Sequence, residues 1–193
     1  MSWSAVDALD GRTDPILGRW RGNPVADGLA YGASALGDHG LVWFLIGVAR
    51  GRKPGPGRAR AAWAIVFSGA VTPVVNQAVK RSVGRGRPEP GHDDPKPVRV
   101  PRSTSFPSGH ALAAWCAATL LATDDPLGPV YYLVAGMVSA SRVHLRQHHP
   151  TDVLGGAALG IGLGRLGRKL EPARFRARMG PGMGTGTKGL DKP

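Results

Sequence analysis

Residues 61–79 and 103–123 run for 19 and 21 positions without Asp, Glu, Lys or Arg. Each is close to the roughly 20 residues a helix needs to cross the hydrocarbon of a bilayer. Three shorter charge-free windows, 39–49, 126–141 and 153–164, can extend at their ends. Over residues 150–170 a helix would reach about 31 Å at 1.5 Å per residue, with Arg165, Arg168 and Lys169 snorkelling at its far end. Gly156, Gly160 and Gly164 recur every four residues on one face of it. In lipid such a face lets a neighbouring helix approach closely. In water each interior glycine costs about 0.5–1 kcal/mol relative to alanine, and Gly155 and Gly162 add to that cost, so the pattern favours a membrane.

The rest of the chain organises around these windows. At 193 residues and 20.2 kDa there is room for one compact domain and one site. The mean hydropathy of −0.13 averages apolar windows with polar loops and a basic tail. The first twenty residues lack a basic start followed by an apolar core and cleavage site, which predicts no removable signal peptide. Trp3, Val6, Leu9, Ile16, Leu17 and Trp20 are spaced for short amphipathic helices, with Asp14-Pro15 and Asn23-Pro24 as two possible helix starts. Residues 80–102 hold Pro88, Pro90, Pro95, Pro97 and Pro101 and read as a loop. No strand alternation stands out. The expectation is an all-α, multi-pass membrane helical bundle of about five spanning helices, preceded by one or two N-terminal amphipathic helices. Its divisions are 1–36, an amphipathic segment on the core or membrane surface; 37–170, the helical core; and 171–193, a basic, disordered tail.

Charge and cysteine content narrow the chemistry. A formal charge of +12 calls for an anionic partner or solvated basic surface. A single cysteine, Cys116, excludes a disulfide framework and thiolate metal clusters and suits an inert small hydrophobe. Three polar clusters stand at the ends of the apolar windows: Lys80 with Arg87-Pro88; Pro107-Ser108-Gly109-His110; and Ser141-Arg142 with His148 and Asp152. If the helices alternate in direction, all three fall on one side. Together they supply fixed cations, histidines, a carboxylate and a serine, an inventory for binding and transferring phosphate without a metal. Lys80, Arg87 and Arg142 can neutralise phosphoryl oxygens, while the Ser108 hydroxyl and the Gly109 amide at a helix start add donors. The two histidines can supply nucleophile and proton shuttle, with Asp152 orienting His148.

In these three clusters the chain resembles the type-2 phosphatidic-acid phosphatase superfamily, over about residues 36–166. Lys80, six residues and Arg87-Pro88 match the first part of its signature, Pro107–His110 the second, and Ser141-Arg142, five residues, His148, three residues and Asp152 the third. The resemblance implies a membrane phosphatase acting on a lipid-linked phosphate monoester or diphosphate. It implies that His148 attacks phosphorus to form a phosphohistidine, that Asp152 holds its other ring nitrogen, and that His110 protonates the leaving alkoxide and then activates water. Lys80, Arg87, Ser108, Gly109 and Arg142 would hold the oxygens, with no metal or other cofactor. Membrane members usually have six spanning helices, whereas the segment before Asp38 is short and polar.

Residues outside the signature are expected to do less. His39, His92, His144 and His149 are read as non-catalytic, and Arg81, Arg85, Arg99 and Arg102 as surface charge that draws anionic substrate or headgroups to the mouth. Trp43, Trp63 and Trp115 are read as lipid-facing or core. Five Lys or Arg in 50–60 and eight in 165–193 lie on the non-catalytic side, thirteen together. Nine remain opposite once the three substrate-binding cations are set aside, so the positive-inside rule points the catalytic face of a plasma-membrane protein outward. The expected partners are a lipid phosphate and membrane lipids, with no nucleic acid. Competing readings are a soluble acid phosphatase or vanadate-dependent haloperoxidase of the same superfamily, and a basic nucleic-acid or membrane binding module without catalysis.

Overall fold

The computed structural model describes residues 3–52, 56–89, 103–123 and 125–172. Among them lie seven α-helices and no strand: α1 (Ser4–Leu17), α2 (Pro24–Gly37), α3 (Leu41–Gly51), α4 (Pro56–Val83), α5 (Gly109–Leu121), α6 (Gly128–His144) and α7 (Pro150–Lys169), with a 3-10 turn at Asp38–Gly40. The five charge-free windows correspond to α3 through α7, and the all-α expectation holds. Residues 90–102 of the proline-rich loop and 173–193 of the expected tail lie outside the described residues, as do His92, Arg99 and Arg102.

Local chemistry sets the first helices. Asn23 caps α2, its side chain accepting from the amides of Val25 (3.0 Å) and Ala26 (3.1 Å), with Pro24 in the first turn. The other expected start, Asp14-Pro15, is not one. Helix α1 continues through Pro15, which falls in its last turn on an exposed face and forfeits a single backbone bond there. Asp14 pairs with Arg21 instead, at 2.6 and 2.9 Å, and the same guanidinium donates to the carbonyls of Val143 (2.9 Å) and His144 (3.0 Å). This ties α1 to the C-terminal end of α6.

Helix α5 is the axis of the bundle, in contact with α4, α6 and most extensively α7. Its 13 residues give about 20 Å of helix, because 103–108 form the loop that leads into it. It is apolar on nearly every side, as suits a helix encased by others, and Leu112, Cys116, Leu120 and Leu121 are almost wholly buried. The glycine face of α7 makes the closest approach. A Cβ on Gly156 would sit 2.5 Å from the Ser108 carbonyl, one on Gly164 2.6 Å from Thr119 Cβ, and one on Gly160 would overlap the Leu112 carbonyl.

The outside is apolar too. Phe44 and Leu45 of α3, Val66 and Val74 of α4, Leu133 of α6 and Leu154 of α7 are each more than half exposed. Gly57–Val83 is long and apolar enough to cross a membrane by length and composition, and the pair α2 and α3, bent by 65°, meets the same measure together. Trp43 is core, whereas Trp63 and Trp115 are partly buried with their indole N–H groups on the Gly167 carbonyl (2.9 Å) and Ser139 Oγ (3.0 Å).

Candidate active site

The C-terminal ends of α4 and α6 and the N-terminal ends of α5 and α7 meet at one end of the bundle, which brings the three sequence clusters together. Lys80, buried one turn from the end of α4, donates from Nζ to the Thr104 carbonyl, and Thr104 Oγ1 donates back to the Lys80 carbonyl at 3.2 Å. The chain then turns at Gly84, whose φ of +66° favours glycine. That turn carries Arg87 under the α6–α7 connection. Its Nε donates to the Ser103 carbonyl (3.0 Å), one terminal nitrogen to Ser103 Oγ (3.2 Å), and the other to the Gln147 carbonyl.

Ser108 is fully buried and caps α5: its Oγ accepts from the Ala111 amide at 3.5 Å, and its own amide donates to the Asp152 carbonyl at 3.0 Å. This joins the starts of α5 and α7. Gly109 opens α5, and a Cβ there would stand 3.0 Å from the Asn76 side-chain amide of α4. His110 follows, with Nε2 2.7 Å from the Asp38 carboxylate in the 3-10 turn. Arg142 is buried in the last turn of α6, donating to Ser34 Oγ on α2 and to Gln147 Oε1 at 2.5 Å. Its Nε has no hydrogen-bond partner among the described residues.

His148 lies in the α6–α7 turn, 3% exposed. Burial pushes its pKa down to about 4, and the charges of Arg87 and Arg142 act the same way against the opposing pull of Asp152. The ring is therefore neutral at pH 7. Its Nε2 lies 3.3 Å from an Arg87 terminal nitrogen. A guanidinium only donates, so Nε2 carries the lone pair and the proton sits on Nδ1. On that side Asp152, without exposed surface, accepts at Oδ2 from Ser105 Oγ and from the His149 amide (2.8 Å). The direct separation from His148 Nδ1 to Asp152 Oδ2 is 3.8 Å, too long for a hydrogen bond, and Ser105 Oγ stands 3.5 Å from the same nitrogen. The Ser105 hydroxyl thus sits beside the ring–carboxylate pair, in contact with both.

Arg85 corrects the sequence reading. Far from being surface charge, it is 5% exposed. One terminal nitrogen donates to Asp152 Oδ1 and to Thr151 Oγ1, both at 2.8 Å, and the other to Asp7 (2.6 Å) and Asp10 (2.7 Å) of α1. Sequence reasoning also passed over Ser105, Gln147, Ser34 and Asp38. The one available signal for Arg85 was its spacing from Arg87, because side chains two apart face the same way in extended chain. Two further histidines have other roles: His144 pairs with Asp27 at 2.7 Å, and His149 is the N-cap residue of α7.

A cleft of about 610 Å³ opens beside His110 between α3, α4 and α5. Trp43, Phe44, Ile65 and Ala113 give it an apolar lining, with Thr72 and Asn76 on the α4 wall. The volume falls within the range of small-molecule sites, and buried arginines beside a neutral histidine suit phosphoryl transfer.

Fold and site together define a helical phosphatase, and the chain belongs to the PAP2 superfamily, whose profile matches residues 61–176. It is a membrane protein and a phosphoric ester hydrolase. The decaprenylphosphoryl-5-phosphoribose phosphatase of Mycobacterium tuberculosis H37Rv is 33% identical over 153 residues, 77% of this chain and 82% of that protein. The crystal structure of the first transmembrane PAP2 type phosphatidylglycerolphosphate phosphatase from Bacillus subtilis superposes with a TM-score of 0.69 at 26% identity, over 86% of each chain. That of Aquifex aeolicus LpxE shares the fold, with a TM-score of 0.66 at 23% identity over 83% of this chain and 95% of the other.

Proposed function

We propose that this chain hydrolyses a lipid-linked phosphate monoester or diphosphate through a phosphohistidine on His148. The candidate substrates are polyprenyl phosphate or diphosphate, a prenyl-linked sugar phosphate, phosphatidic acid and phosphatidylglycerol phosphate. The observation that carries this reading is the buried ring of His148 with its Nε2 3.3 Å from an Arg87 terminal nitrogen. In the first step that lone pair attacks phosphorus and the bond to the leaving oxygen breaks, while His110 delivers a proton to the departing alkoxide. In the second, His110 takes a proton from water, which attacks the phosphohistidine, and inorganic phosphate leaves. Lys80, Arg87, Arg142, Ser108 and Gly109 hold the oxygens through both steps. Asp152 and Ser105 keep the Nδ1 proton in place as the ring gains positive charge.

The apolar cleft next to His110 takes the leaving group, so the lipid portion of the substrate contributes binding energy that presents phosphate to His148. In this reading residues 37–170 form the core and α3 to α7 span the bilayer, about five crossings. Residues 1–36 lie along the surface, exposing Leu9, Ile16, Leu17 and Trp20 to the lipid interface. By the positive-inside rule, the weight of Lys and Arg in 50–60 and 165–193 of the sequence supports a plasma-membrane protein whose catalytic face lies outside the cytoplasm. The test is phosphate release by detergent-purified protein from a panel of these lipid phosphates, with a soluble sugar phosphate for comparison. Release from one or more lipid phosphates is expected. Release from none of them, by folded protein, would refute the reading.

A further inference from the structure

The carboxylate beside His148 is held from the far side of the molecule. Asp152 Oδ1 accepts from Arg85 at 2.8 Å, which leaves Oδ2 to Ser105 and the His149 amide, facing His148 Nδ1 at 3.8 Å. Arg85 in turn is gripped by α1. Its second terminal nitrogen reaches Asp10 Oδ2 at 2.7 Å, and the side chains of Arg85, Asp10 and Asp152 are all 4% exposed or less. Asp10 also accepts from the Thr151 amide (2.9 Å) and the Thr151 hydroxyl (2.6 Å), so α1 is bonded directly to the first turn of α7, where Asp152 sits. Asp7 adds a contact to Arg85 at 2.6 Å, but its side chain is 58% exposed and therefore screened. The Trp3 ring lies over the guanidinium, 5.0 Å from its centroid.

We propose that Asp10 and Arg85 are positioning residues for the phosphatase reaction: Asp10, carried by the N-terminal helix, holds Arg85 against Asp152 and so fixes the carboxylate that supports His148. The inference rests on the reading of His148 as nucleophile. It adds two residues that the three-part signature leaves out, one of them, Asp10, outside the matched residues 61–176. The physical case is one of charge and direction. A buried carboxylate with two hydrogen-bonded oxygens has one orientation, and a buried arginine shared between two buried carboxylates holds both in place. Without Asp10, Arg85 keeps its charge but loses its anchor. It can then swing, and Asp152 follows it away from the ring. The energetic consequence appears when the ring becomes positive in the transition state, so the loss falls on kcat rather than on substrate binding.

The test uses full-length protein in detergent and phosphate release from a lipid phosphate that the wild type hydrolyses. It compares Asp10→Asn, Arg85→Gln, the double variant and Asp14→Asn. Asp14 lies one turn further along the same helix and pairs with Arg21, so its loss loosens the docking of α1 without touching Arg85. We expect Asp10→Asn to lower kcat about tenfold with KM within about twofold, and Asp14→Asn to leave both within about twofold. Asp10→Asn keeps an oxygen that can accept from the Thr151 amide, so adding it to Arg85→Gln should cost much less than it costs alone. The double variant removes one buried charge of each sign, so it also covers the case in which Arg85→Gln alone fails to fold. Equal losses in Asp10→Asn and Asp14→Asn would overturn the proposal, as would multiplicative losses in the double variant or a rise in KM at unchanged kcat. A His148→Ala control separates the two levels: full turnover there refutes the nucleophile itself, whatever Asp10 does.

Discussion

An Arg87 terminal nitrogen lies 3.3 Å from Nε2 of His148, and a guanidinium beside a neutral imidazole fixes which ring nitrogen is free to attack. The same side chain is pinned by Ser103 and Gln147, so its position is not adjustable. Arg87→Lys keeps the charge and loses the fork. We expect kcat/KM to fall on the order of a hundredfold, the usual cost of one oxyanion donor. Inhibition by vanadate, a mimic of five-coordinate phosphorus, should weaken in parallel. Steady-state kinetics with vanadate titration check both.

The depressed pKa of His148 carries a stability consequence. Its folded value is about 4 and its ordinary value 6.5, with burial the largest cause. Below pH 6.5 an unfolded chain takes up a proton that the folded ring refuses. This contribution is therefore intact above pH 6.5, declines as pH falls toward 4, and changes no further below that. The slope approaches about 1.4 kcal/mol per pH unit from this one group. Thermal unfolding in detergent between pH 7 and 4 should show a shallower decline in His148→Asn than in wild type. Parallel curves would contradict the assignment.

His110 stands at the mouth of the apolar cleft with its Nε2 on Asp38. If it protonates the leaving oxygen, the need for it depends on how poor the leaving group is. His110→Ala should lower kcat on an alkyl lipid phosphate by about 10²–10⁴-fold. On an aryl phosphate, whose leaving group requires no proton, the loss should be much smaller. Asp38→Asn should show the same pattern, weakened. Comparison of the two substrates decides it.

The glycine face of α7 is a packing device, and its members are not equivalent. A Cβ at Gly160 meets the Leu112 carbonyl, whereas one at Gly162 meets nothing within 4 Å. Gly160→Ala should destabilise by about 1–3 kcal/mol through forced backbone shift. Gly162→Ala should be neutral or stabilising by about 0.5–1 kcal/mol, since alanine suits a helix interior better. Melting temperatures in detergent separate the two.

Much of this was legible in the chain because the chemistry is repeated at fixed offsets. Charge-free windows marked the helices, glycines at every fourth position pointed to a close helix neighbour, which is α5, and Lys80, Arg87, Ser108, Arg142, His148 and Asp152 stand at helix ends that converge. Asp14-Pro15 misled because a proline marks a helix start only when a cap precedes it, and Asp14 spends its carboxylate on Arg21. Apart from its spacing to Arg87, nothing in the chain marks Arg85, because burial is a property of the partner as much as of the residue. Its anchor, Asp10, lies 75 positions away in a helix that looks like ordinary amphipathic surface. Ser105 and Gln147 are common polar types in loops, and only the fold shows that one touches both His148 and Asp152 while the other bridges two arginines.

The central claim is that Nε2 of His148 becomes bonded to phosphorus. The direct measurement is rapid quench at neutral to alkaline pH after mixing enzyme with labelled lipid phosphate, followed by mass spectrometry of the peptide containing residue 148. The account predicts an acid-labile phosphate on His148 that forms and decays at rates compatible with turnover and is absent from His148→Ala. Phosphate on another residue, or undiminished hydrolysis by His148→Ala, would contradict it.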